Sequence, residues 1–285
     1  RDLVEAESPS AHPETHDDVR RIVRLALASV GYDSREAGAP EQPRHMFARP
    51  AERVRGRPSQ LVVGHFDTVW PVGSLETHPF RIEDGKAYGP GIFDMQTSLV
   101  MVEYALQAIR DLSRELVRPI TLLATSDEEV GSFTSRTLIE DEGQKAEYVL
   151  VLESPLPGGI LKTARKGGGH FEVTITGRAA HAGVEPEKGI SAITELAHQI
   201  LAIQDLADPE KGTTVSVGVV RGGSKSNVIP ASAWAEIDLR AWSIEEVERV
   251  TGALRGLEPL TPGARVDVSG APNRPPLERS ATADL

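Results

Sequence analysis

The chain has 285 residues, no cysteine, and 42 acidic against 31 basic side chains, for a net charge of -11. That charge argues against nucleic acid or an anionic membrane as the main partner, and without cysteine there are no disulfides, so any metal must rest on His, Asp and Glu. With 39% hydrophobic and 26% charged residues, the chain is an ordinary globular sequence long enough for two domains.

Residues 1–13 carry Ser, Pro and acidic residues without periodicity and are expected to form a weakly ordered lead-in. Over residues 16–30, Val19, Ile22, Val23, Leu25 and Ala26 recur at helical spacing before Gly31. Short extended segments are predicted at 33–36 and 45–48, and 61–65 reads as a buried strand. Residues 97–111 read as a helix with Val100, Met101, Tyr104, Ala105, Ala108 and Ile109 on its inner side. A second buried strand follows at 120–125, a helix at 134–142 and a third buried strand at 148–152. Apolar strands alternating with helices predict an α/β fold, a mostly parallel sheet with helices on both faces. Such sheets bind ligands at the carboxyl ends of their strands.

Near residue 164 the pattern changes. Phe171, Val173 and Ile175 alternate with polar residues, residues 190–201 are amphipathic, and Val215, Val217 and Val219 alternate again. Ala235, Ile237 and Leu239 repeat the alternation. Ser243 and Glu246 form a capping box ahead of Val247, Val250 and Leu254, and 266–268 is a last strand. The order β-α-β-β-α-β is that of a ferredoxin-like α+β domain. The run Lys166, Gly167, Gly168, Gly169 lacks the spacing of a phosphate loop and is expected to be an interdomain hinge.

Chemistry-bearing residues gather at the strand ends. His65 and Asp67 are two apart and so point to the same side of a strand. A neutral imidazole is a good zinc ligand, and a neighbouring carboxylate fixes its tautomer. Asp94 follows the turn-forming Gly89-Pro90-Gly91. Glu128 and Glu129 end the run 120–129, so one can bind metal while the other takes a proton from an attacking water. Glu153 ends another apolar run. Taken singly, His65 with Asp67 is about as often a mere strand cap, the Glu128-Glu129 pair is usually a solvated acidic turn, and Glu153 is a weak sign; three such strand ends in one sheet predict a metal site.

Gly64-His65-Phe66-Asp67-Thr68-Val69, Gly89-Pro90-Gly91 with Asp94-Met95, and Ser126-Asp127-Glu128-Glu129-Val130-Gly131-Ser132 resemble the dizinc metallopeptidase family of carboxypeptidase G, acetylornithine deacetylase and succinyl-diaminopimelate desuccinylase. Gly177-Arg178-Ala179-Ala180-His181-Ala182-Gly183 and Asn227-Val228-Ile229-Pro230 continue the likeness, which is greatest to the carboxypeptidase G type. The resemblance implies two zinc ions per chain, with cobalt or manganese as substitutes. Asp94 would bridge them, His65 and Glu153 would complete one ligand set, and Glu129 would bind the other ion. Glu128 would be the general base and acid, and Asp67 would hold His65. His181 would reach across a homodimer to stabilise an oxyanion, while Asn227 and Arg240 bind substrate, the guanidinium gripping a carboxylate. Without the resemblance, His181 reads as an exposed loop residue, Asn227 as a turn residue and Arg240 as a solvated side chain. His12, His16, His45, His78, His170 and His198 match no motif position and receive no role.

By the same resemblance, residues 1–165 form the first part of a catalytic domain, 166–272 an inserted lid and dimerisation domain, and 273–285 the start of a return. Gln96 stands where the family usually has Lys. The family supplies one more His ligand after the second domain, whereas no His follows His198, so the sequence is expected to be part of a longer protein. The function implied is a zinc-dependent exo-acting carboxypeptidase that releases glutamate or a related amino acid from an N-acyl amino acid or short peptide. A family deacetylase or dipeptidase, or a truncated non-catalytic homologue, is the alternative. No apolar run approaches the roughly 18 residues of a membrane-crossing helix and no signal-peptide pattern is present, so the expected location is cytoplasmic.

Overall fold

The computed structural model describes residues 1–52 and 56–283. They form two compact units, Arg1–Gly159 and Ile160–Leu285.

The first unit contains α1 (Asp2–Glu5), α2 (Asp17–Ser29), β1 (Tyr32–Ala37), β2 (His45–Pro50), β3 (Ser59–His65), β4 (Arg81–Glu83), β5 (Lys86–Tyr88), α3 (Thr97–Asp111), β6 (Ile120–Thr125), α4 (Arg136–Lys145) and β7 (Ala146–Val151). Its main sheet has the order β1-β2-β6-β3-β7. β6, β3 and β7 run parallel, and the sheet is extended by β2 and β1 in antiparallel register. Alternate residues of the strands feed two cores. Val62, Leu122 and Ala124 pack with Val23 and Leu27 of α2 and Leu99, Val102 and Leu106 of α3. Leu61, Val63 and Leu123 face Leu138 and Ile139 of α4. Each fully buried aliphatic side chain contributes roughly 1.5–3 kcal/mol, so β3, flanked on both sides and both faces, is a rigid base for His65 at its carboxyl end.

Three expectations for this unit are corrected. α3 buries Leu99, Val102 and Leu106, while Met101 and Tyr104 are each 64% exposed. The helix is apolar around most of its circumference, so the sheet, not the periodicity, selects its inner face. β7 is an edge strand in the described sheet, and its Val149, Leu150 and Val151 are exposed rather than buried. The lead-in is ordered: Leu3 and Val4 are buried, Ser8 O accepts the Thr68 N–H at 2.9 Å, and Ser10 N–H donates to Thr68 O at 3.0 Å.

The second unit contains β8 (Gly167–Thr176), β9 (Ala180–His181), α5 (Ala192–Gln204), β10 (Thr214–Gly222), β11 (Val228–Ile229), β12 (Ser232–Ala241), α6 (Ile244–Arg255) and β13 (Arg265–Arg274). The antiparallel sheet β10-β12-β8-β13 has the ferredoxin-like order. Phe171, Val173, Ile175, Ala235, Ile237 and Leu239 point to one face, where Leu196 and Ile203 of α5 and Val247, Val250 and Leu254 of α6 cover them. Ser191 and Ser243 cap the two helices, their Oγ atoms accepting the N–H groups of Thr194 at 3.1 Å and Glu246 at 3.3 Å.

The glycine run is not a free hinge. Gly167, Gly168 and Gly169 begin β8, paired with Ala241, Arg240 and Leu239. A Cβ on Gly167 would lie 2.3 Å from Pro276 N, and one on Gly168 2.5 Å from Leu239 O, so close backbone approach requires glycine there. The expected boundaries also shift. Residues 160–165, placed with the first domain, and 273–283, placed as a return to it, both lie in the second unit. Arg165 and Leu277 exchange two backbone hydrogen bonds of 2.9 Å. Thr282 Oγ1 donates to Thr163 O at 2.7 Å, and Glu278 accepts the Ile244 N–H at 2.9 Å. Among the described residues, no helix is long and apolar enough to cross a membrane.

Glu246 does not close its capping box. The buried carboxylate instead accepts Lys211 Nζ at 2.7 Å, Thr213 Oγ1 at 2.8 Å and Arg249 Nη2 at 2.7 Å. The bonds from Arg249 and Lys211 lower its pKa from 4.5 to about 2. A depressed carboxylate stabilises the fold above its unfolded pKa, and that contribution fades as pH falls through the folded value. Glu246→Gln is therefore expected to cost about 1–2 kcal/mol at neutral pH and to flatten the loss of stability between about pH 4.5 and about pH 2. Urea unfolding across that range checks it; equal acid sensitivity in parent and variant would contradict it.

Candidate metal centre

β3 delivers His65 at its carboxyl end, fully buried, with its backbone N–H donating to Met95 Sδ at 3.2 Å. The ring is locked from both sides. Nδ1 donates to the backbone carbonyl of Asp67 at 2.9 Å, with the Asp67 carboxylate 3.4 Å away. Nε2 meets Asp94 Oδ1 at 3.0 Å and Glu153 Oε1 at 3.4 Å. Asp94 arrives on an irregular turn, Ile92–Gln96, that Gly91 opens with φ of 67°. A Cβ on Gly91 would stand 2.7 Å from Thr68 Cγ2, so the turn can lie against the residues after β3 only with glycine there. β6 ends just before Glu128 and Glu129, and β7 just before Glu153.

Asp67 does more than face His65. Its Oδ1 accepts the Glu128 N–H and its Oδ2 the Glu129 N–H, each at 3.2 Å, while Ser10 Oγ donates to Oδ2 at 2.7 Å. Burial alone would raise the Asp67 pKa, but the hydrogen bonds from His65 and Ser10 outweigh it and hold the carboxyl below its usual value. Burial would lower the pKa of His65, but the bonds to the Asp67 and Glu153 carboxylates raise it to about 11. Burial and the nearby charge of Asp94 raise the pKa of Glu129.

Two groups of potential ligand atoms share His65: His65, Glu128 and Glu153, and His65, Asp94 and Glu129, with the atoms of each group within 4.8 Å of one another. One imidazole among hard carboxylate oxygens, crowded enough to raise the pKa of Glu129, is a donor set that fits divalent cations. Asp94 keeps 53% of its side chain exposed, leaving the cluster open on that side.

In the second unit, His181 lies opposite Val228 in the two-stranded β9–β11 ribbon, and Asn227 O accepts the Ala182 N–H at 3.0 Å. His181 and Asn227 are thus neighbours, both exposed. His181 Nδ1 accepts the Gly183 N–H at 3.1 Å, which leaves the proton on Nε2. Arg240 stands on the polar side of β12, its guanidinium engaged by Asp238 through bonds of 2.9 and 2.8 Å.

Several supporting residues carry little or no signal in the sequence. Ser10 sits in a segment without periodicity. Gln96 is buried and donates to Ser8 Oγ at 3.3 Å and Phe66 O at 3.4 Å, tying the lead-in to the centre. His16 is fully buried, with Nε2 bonded to Pro9 O at 2.9 Å and its ring edge-on to Phe66. His45 is also fully buried, and its partners lie 81 and 89 residues away. A histidine opening an apolar strand was the one available sign.

Comparison with known proteins identifies relatives of this chain. Residues 163–257 match the peptidase dimerisation domain of the M20 type. Carboxypeptidase G2 of Pseudomonas sp. (strain RS-16) is 35% identical over 224 residues, 78% of this chain and 54% of that protein, so the chain spans about half the length of this relative. The aminopeptidase PepT of Bacillus cereus superposes with a TM-score of 0.79 at 22% identity, over 97% of this chain and 74% of that one. The YXEP protein of Bacillus subtilis, described as a dinuclear metal binding peptidase from the M20 family, superposes with a TM-score of 0.63 at 16% identity, over 96% and 72%.

Proposed function

Because this chain belongs to the M20 metallopeptidase family, we propose that it takes part in zinc-dependent hydrolysis of an amide bond next to a free carboxylate, releasing glutamate or a related amino acid from an N-acyl substrate. The convergence of His65, Asp94, Glu128, Glu129 and Glu153 carries this reading. Held by His65, Asp94, Glu129 and Glu153, two divalent ions would supply Lewis acidity to the scissile carbonyl and acidify the attacking water. Zinc suits the imidazole, and cobalt or manganese would also suit so oxygen-rich a set.

The remaining work falls to the protein's own side chains. Glu128 accepts the proton of the attacking water and returns it to the leaving amine. Asp67 fixes the His65 tautomer through its carbonyl and the Glu128–Glu129 backbone through its carboxylate. His181, as an Nε2–H donor, stabilises the oxyanion, acting from the second protomer of a homodimer built on residues 166–272. Asn227 and Arg240 recognise the substrate, whose carboxylate displaces Asp238 from the guanidinium. That existing ion pair is the feature that favours the alternative, a deacetylase or dipeptidase of the same family.

Hydrolysis of matched N-acyl-glutamate, N-acetyl amino acid and dipeptide series by the zinc-loaded chain separates the readings. A higher kcat/KM for N-acyl-glutamate is expected. Preference for another series would favour the alternative, and zinc binding without turnover of any would point to a non-catalytic homologue.

A further inference from the structure

The Glu128–Glu129 loop is closed by a residue outside the ligand set. After β6 the chain loops through residues 126–134 before α4, with the two glutamates in its middle. His45, the first residue of β2, spans both ends of this loop. Its Nδ1 accepts the Ser126 backbone N–H at 3.3 Å and the Ser126 hydroxyl at 3.0 Å. With Nδ1 an acceptor, Nε2 carries the proton and donates to Thr134 Oγ1 at 3.2 Å. That hydroxyl donates in turn to Asp127 Oδ2 at 2.7 Å, which also accepts the N–H groups of Thr134 at 2.7 Å and Ser135 at 3.1 Å. Burial lowers the pKa of His45, in keeping with a neutral ring. From the opposite side, Asp67 holds the N–H groups of Glu128 and Glu129.

We propose that His45 is a positioning residue of the metal centre. Through Ser126 and Thr134 it fixes where Glu128 and Glu129 stand relative to His65, and so sets zinc affinity on the Glu129 side without touching an ion. The inference rests on the metal-dependent function proposed for the chain. Small displacements suffice, because a carboxylate ligand a fraction of an ångström out of place loses much of its binding. Two amides divide the functions of the ring. Gln places a donor near Nε2, whereas Asn places an acceptor near Nδ1 and loses Thr134.

The full chain is titrated with zinc alone by calorimetry as wild type, His45→Asn, His45→Gln, Thr134→Val and the double variant His45→Asn/Thr134→Val, with thermal unfolding measured alongside. His45→Asn and Thr134→Val are each expected to weaken the more weakly bound zinc about 10–100-fold. Any tighter-bound zinc keeps its affinity, His45→Gln falls between, and the double variant is no worse than the worse single one, because both break one chain of bonds. Thr134 is only half-buried, so Thr134→Val tests the chain even where a His45 variant folds poorly. A lowered Tm with unchanged zinc affinities, or additive effects of the two substitutions, would overturn the inference and leave His45 a core residue. A wild-type chain that binds no zinc would overturn the proposed function and this inference together.

Discussion

Glu128→Gln is expected to leave zinc content at the parent level while lowering turnover about 10²–10⁴-fold. The amide keeps the volume and the backbone bond to Asp67 but cannot take up a proton at neutral pH. Glu128 lies within ligand distance of His65 and Glu153, so geometry alone would also allow it to bind an ion. The two roles part in one experiment. Elemental analysis after dialysis, beside a hydrolysis assay, shows whether activity falls with zinc retained, as a base requires, or whether zinc falls as well, as a ligand requires.

Asp94→Ala should be the most damaging change to metal binding. Its carboxylate touches His65 Nε2 at 3.0 Å and shares a ligand group with Glu129. As a bridge it would contribute to both ions, so both zinc affinities should drop by about 100-fold or more, whereas Glu153→Ala should weaken one. Calorimetric titration of the two variants makes the comparison. An Asp94→Ala chain that loses a single zinc would rule out the bridge and make Asp94 a ligand of one ion.

Local pattern carried much of the fold. β6 and α3 have the ends that periodicity predicts, and the alternation of Phe171, Val173 and Ile175 marks the buried face of β8. Where pattern was ambiguous, packing decided. α3 offers apolar residues on nearly every side, and only contact with Val62 and Leu122 turns Leu99, Val102 and Leu106 inward. Residues 1–13 have no periodic signal because their order comes from partners some 58 residues away, Ser8 on Phe66 O and Ser10 on Asp67. Among the candidate ligands, His65, Glu129 and Glu153 were legible as residues at or just after strand ends, and Asp94 as the residue that follows a Gly-Pro-Gly turn. Ser10, His45 and Gln96 were not, since a hydrogen bond to a distant loop leaves no trace in spacing. Arg240, read from the residues alone as a solvated side chain, is paired with Asp238, two residues along the same strand face.

In the second unit, Arg165 and Leu277 exchange paired backbone hydrogen bonds and Thr282 is bonded to Thr163, so the two ends of the unit lie side by side. It is therefore almost a closed ring. A short flexible linker could join residue 283 to residue 160 at small entropic expense. New ends could then be opened between the exposed Pro262 and Gly263, in the turn between α6 and β13, beyond the bonds that hold Leu260 and Thr261 to Glu195 and without cutting any rung of the sheet. The ferredoxin-like unit is thus suited to circular permutation, with its start and finish free to be moved around an unchanged core.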